Sequence, residues 1–87
     1  MIKLNNDVRK CLIDGEMVLL DSRGGSYFGL NEVGTRMLEL ALQARNREEA
    51  VDILLDEFEV DEATALKDWD DLFAALTSKG LIIADES

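Results

Sequence analysis

The first third of the chain alternates in steps of two, and the remainder turns over in steps of three and four. Residues 8–13 and 16–21 flank Asp14-Gly15, a two-residue link that suits a tight hairpin with positive φ at both positions. Met17-Val18-Leu19-Leu20 is apolar on both faces, which predicts a central strand covered on one side and crowded on the other. After the turn residues Ser22-Arg23-Gly24-Gly25, residues 26–30 read as a third short strand. Alternation there puts Phe28 and Leu30 on one face and Tyr27 and Gly29 on the other.

The helical part begins at Asn31, a capping residue ahead of Val33, Met37, Leu40, Ala41 and Ala44 at helical spacing. Asn46 with Glu49 three residues on predicts a capping box for a second helix, striped by Val51, Leu54, Leu55 and Phe58. Asp61 caps a third helix running to about Lys79, where Gly80 suits the left-handed position that ends it. Residues 81–84 predict a terminal strand and 85–87 a frayed tail. The expected fold is therefore α+β: a three-stranded antiparallel meander, three helices and a short C-terminal strand, the outline of a winged helix-turn-helix.

The third helix carries two apolar stripes. Leu66, Trp69, Phe73 and Leu76 are expected in the core. Ala65, Leu72 and Ala75, with Asp68 among them, form a neighbouring face of smaller side chains that leaves room for something else. A three-stranded meander also ends in two edges of unpaired backbone donors and acceptors.

At 87 residues the chain is one expected domain, 1–87, with an ordered core over about 8–84. The longest apolar run, 72–76, is far short of the roughly 18–20 residues of a membrane span. No export leader opens the sequence, so a cytoplasmic protein with no membrane partner is expected. Histidine is absent, which removes the commonest general base and metal ligand. Cys11 is alone and lacks a base partner, so it reads as a structural or incidental thiol. Gly24-Gly25 has neither phosphate-loop spacing. Asp68, Asp70 and Asp71 crowd one helical turn without a calcium-loop pattern. No catalytic residue, metal or cofactor is expected, and the chain reads as a non-enzyme.

The charge is lopsided. Residues 1–47 hold seven basic and six acidic side chains, and residues 48–87 hold two basic and thirteen acidic, giving +1 and −11. That field repels a phosphate backbone, so the winged-helix outline comes without its nucleic-acid partner. A small acidic adaptor or inhibitor that binds a basic protein by charge alone is one reading of it.

A second reading comes from resemblance. Val18-Leu19-Leu20-Asp21, a glycine turn, Tyr27-Phe28-Gly29-Leu30-Asn31, Val33-Gly34 and Leu38-Glu39-Leu40 resemble the opening of the PqqD-like family. Glu48-Glu49-Ala50-Val51, Phe58, Val60-Asp61, Asp68, Asp71-Leu72, Leu76 and Gly80-Leu81-Ile82 continue it over about 8–84. The resemblance implies a leader-peptide recognition element of modified-peptide biosynthesis, in which a precursor's leader adds as a strand to the third strand against the third helix. Carried over by position, Tyr27, Phe28, Gly29 and Leu30 would supply the receiving edge. Ala65, Asp68, Leu72 and Ala75, with Trp69 or Asp71 at the border, would supply the helical wall.

The freestanding form is similar to the discrete leader-binding proteins of lasso peptide clusters, which implies a separate leader-removing cysteine protease and a cyclase as partners. The chaperone of the pyrroloquinoline quinone pathway is the alternative within the family. An open edge also implies either a monomer or a strand-swapped dimer.

Overall fold

The computed structural model describes residues 2–84. Its elements run β1 (Ile2–Leu4), β2 (Val8–Ile13), β3 (Glu16–Asp21), β4 (Ser26–Gly29), α1 (Glu32–Leu42), α2 (Arg47–Glu57), α3 (Glu62–Ser78) and β5 (Ile82–Ala84). The strands β2, β3 and β4 form the expected antiparallel meander with β3 in the centre. Asp14 and Gly15 both take positive φ, at 51° and 82°, as the tight hairpin requires.

β1 departs from the expectation of order starting near residue 8. It pairs antiparallel with β5, Lys3 opposite Ile83, as a separate two-stranded sheet. Three residues carry little strand signal alone, and the partner that fixes them lies at the far end of the chain. The expected tail, 85–87, lies outside the described residues.

The caps form as read. Asn31 accepts from the Gly34 N–H at 2.8 Å, and Asp61 accepts from the Thr64 N–H at 2.7 Å. Asn46 and Glu49 complete a reciprocal capping box. The helix ends move inward from the expected stripes. Ala44 lies beyond α1 with φ at 66°, and Phe58 is the extended residue that stops α2. Gly80 takes φ at 70° after α3, and its carbonyl accepts from Asn5 at 3.2 Å and Arg23 at 3.0 Å. That one carbonyl joins the end of α3 to two turns of the strand region.

The core is continuous from sheet to helices. Leu19, Leu38, Leu54 and Leu76 are fully enclosed, with Met17, Met37, Leu40, Trp69 and Phe73 around them. Bidentate pairs brace the helices from outside: Arg36 of α1 with Glu57 at the end of α2, and Arg47 of α2 with Asp70 of α3. Only one face of the meander is covered. Leu20, expected to be crowded, is exposed, as are Ile13 and Tyr27, because no helix lies over the outer face. Leu66, expected in the core, is half-buried at its margin. No helix among the described residues is long and apolar enough to cross a membrane.

Candidate peptide-binding groove

The two edges of the meander are β2 and β4, and β4 shares a groove with α1 and α3. The Leu30 N–H donates to the Met17 carbonyl at 2.8 Å, continuing the ladder in which Phe28 faces Leu19 and Ser26 faces Asp21. Residues of an antiparallel strand alternate between pointing their backbone groups at one neighbour and at the other. The N–H and C=O groups of Tyr27 and Gly29 are therefore the ones directed away from β3, to the open edge. Side chains alternate in the perpendicular sense, so Phe28 and Leu30 turn towards the helices and Tyr27 turns out, 77% exposed.

Beside this edge lies a groove of about 350 Å³. One bank is Phe28, Gly29, Leu30 and Asn31, the bed is Val33, Gly34 and Met37 of α1, and the far bank is Asp68, Asp71 and Leu72 of α3. A smaller cavity of about 230 Å³ adjoins it, sharing Phe28 and reaching Lys79, Ser26 and Tyr27. Gly34 keeps the bed low: a β-carbon there would stand 3.2 Å from Asn31 Oδ1 and 3.7 Å from the Leu30 side chain.

Six of the ten residues expected at the site, Phe28, Gly29, Leu30, Asp68, Asp71 and Leu72, come together around the groove. Tyr27 reaches only the adjoining cavity. Ala65 and Trp69 turn inward instead, 2% and 7% exposed, with the Trp69 ring 4.5 Å from that of Phe73. Ala75 is half-buried and lines neither cavity. The α1 bed was not foreseen, because Val33 and Met37 at i and i+4 read as ordinary core. Lys79 was missed as well, although it continues the spacing of Asp68, Leu72 and Ala75.

The three neighbouring acids of α3 have separate fates. Asp70 is bound to Arg47 on the far side of the helix, and Asp71 pairs with Lys67 at 2.6 Å. The Asp71 hydrogen bond and charge, with a smaller contribution from Asp68, hold the Lys67 amine above its usual range. Among the described residues Asp68 makes no ion pair. No group of three metal-ligating side chains is assembled among those residues either. The arrangement offers backbone pairing, an apolar bed and an acidic bank.

The sequence profile described as coenzyme PQQ synthesis protein D (PqqD) matches residues 16–82. Among solved structures, TbiB1 in complex with the TbiA(beta) leader peptide is 39% identical, with 95% of this chain and 99% of that one covered and a TM-score of 0.81. Lasso peptide synthetase B1 complexed with the leader peptide is 26% identical, with 95% and 98% covered and a TM-score of 0.87. No curated protein sequence matches.

Proposed function

The chain belongs to the PqqD family, and on that premise we propose that it binds the leader segment of a ribosomally made precursor peptide without acting on it chemically. The leader adds as a strand to β4, its alternate side chains entering the groove between α1 and α3. The bound precursor is then presented to a separate cysteine protease that removes the leader, and onward to a cyclase, as lasso peptide biosynthesis needs.

The observation that carries this reading is the pair of outward-facing residues Tyr27 and Gly29 beside a groove already lined by apolar side chains. An extended guest there satisfies four backbone groups whatever its side chains, and the apolar lining of Leu30, Val33 and Met37 adds selectivity through burial. Ordering a flexible leader offsets much of that gain, so micromolar to high-nanomolar affinity is expected. The likeness to lasso peptide synthetase B1 over nearly all of both chains supports the lasso pathway. The family description itself supports the second reading, a peptide chaperone of coenzyme PQQ synthesis.

The test is titration of the labelled protein with synthetic leaders encoded beside its gene, followed by amide shifts. Leader binding moves residues 26–30 and the groove side of 65–75. Diffuse shifts across 48–71 would instead mark an acidic adaptor working by charge, and would end this proposal. Sedimentation of the free protein separates a monomer with an open edge from a dimer that swaps strands across it.

A further inference from the structure

Asp68, Leu72, Ala75 and Lys79 follow one another at i, i+4, i+7 and i+11, a single line along α3. The two ends of that line differ in charge. At one end Lys67 is taken up by its contact with Asp71, and Asp68, beside Leu30 and Gly34, makes no ion pair. At the other, Arg23 is neutralised by Asp21, which leaves Lys79 uncompensated, its amine 5.9 Å from the centre of the Phe28 ring. Each end has one closed ion pair and one charge without a partner among the described residues, and the apolar bed lies between them.

We propose that the groove reads the order of charges in its guest: it takes a strand with a basic side chain towards Asp68, an apolar side chain over Leu72 and Phe28, and an acidic side chain towards Lys79. This rests on the leader-binding reading given above. Eleven residues of helix span roughly 16 Å, and a strand covers about 13 Å in four residues. Side chains entering one face of a strand recur every second residue, so the matching guest carries its charges four apart with the apolar residue midway. Long lysine and glutamate side chains close the remaining few ångströms.

The direction of the guest follows. β4 advances from the Lys79 end to the Asp68 end, and antiparallel addition is the slightly stronger pairing. An antiparallel guest enters at Asp68 and leaves at Lys79, so its basic residue precedes its acidic one. A parallel or reversed guest meets like charges at both ends.

The experiment compares two synthetic nine-residue peptides of one composition, centred on Lys-Thr-Leu-Thr-Glu and on Glu-Thr-Leu-Thr-Lys. Both are titrated by amide shifts at about 50 mM salt. Two exposed attractive pairs set against two repulsive ones give the first peptide an advantage of about tenfold, shrinking towards twofold near 0.5 M salt. The doubly exchanged protein Asp68→Lys/Lys79→Glu, checked for an unchanged thermal midpoint, then prefers the second peptide. Equal affinities, with both peptides still shifting Tyr27 and Gly29, would overturn charge reading and leave strand addition standing. No shift at Tyr27 or Gly29 with either peptide, or with the encoded leader, would overturn both.

Discussion

The Thr35 hydroxyl accepts the Met17 N–H at 2.8 Å and in turn reaches the Leu30 carbonyl at 3.5 Å. It stands where the second bond of the Met17–Leu30 pair would otherwise close, since the Leu30 N–H already donates to the Met17 carbonyl. One buried hydroxyl thus joins the first turn of α1 to the last rung of the sheet, and fixes the corner from which the groove opens.

Replacing Thr35 by valine keeps the shape and strands the Met17 N–H away from water. The expected cost is about 1–3 kcal/mol in urea denaturation, with Thr35→Ser recovering most of it. A valine variant as stable as the parent would mean that the buried N–H has another acceptor.

Proline distinguishes the two faces of the β4 backbone. The Tyr27 N–H points to the open edge, so Tyr27→Pro leaves the ladder whole and the fold intact. It removes one N–H that would donate to the guest and should weaken leader binding at least about tenfold. Phe28→Pro deletes a donor directed at β3 and should cost about 3 kcal/mol or more of stability. Equal leader affinity in parent and Tyr27→Pro would take strand addition out of the account.

Leu72 is half-buried on the far bank, between the acids and the core. Leu72→Glu places a charge in the path of any apolar side chain while its own carboxylate reaches solvent. Calorimetric binding to the encoded leader should fall by more than about tenfold while thermal unfolding stays cooperative. Undiminished binding would move the site elsewhere.

Acid should unfold the protein through a few identifiable carboxylates. The Arg23 hydrogen bond holds Asp21 below the usual range, the Arg36 hydrogen bond does so for Glu57, and the Thr64 N–H does so for Asp61. A carboxyl lowered on folding adds stability above its unfolded value, near 4, and loses it as pH falls through the folded value. Stability should therefore decline from about pH 4 downward. With no histidine, it should stay level between about pH 5.5 and 7. The raised Arg23, Arg36, Arg47 and Lys67 release their contribution only above their unfolded values, in strong alkali. A transition in circular dichroism near pH 6 would contradict this assignment.

Local chemistry was legible from the sequence and distant pairing was not. Asp14-Gly15, Asn31, the Asn46–Glu49 box, Asp61 and Gly80 each act through neighbours within a few residues, and all took the expected conformations. β1 escaped because its three residues carry little strand signal alone and its partner, the expected terminal strand β5, is about eighty positions away. In the groove, the third strand of the meander and the acids of α3 were visible as an edge and an unusual face. Ala65 was misassigned because small size reads equally as clearance and as close packing, and here it is close packing. The bed supplied by Val33, Gly34 and Met37 was hidden for the converse reason, since apolar side chains lining a groove keep the periodicity of a core.

The enclosed position of Trp69 gives the protein an optical probe of its own. It is the sole indole of the chain, tilted at 40° against the Phe73 ring and turned from the groove towards the interior. Its emission should stay blue and nearly constant when a guest strand docks, then shift red only when the interior opens to water. Unfolding and occupancy can thus be followed separately in one sample, without a dye or a label.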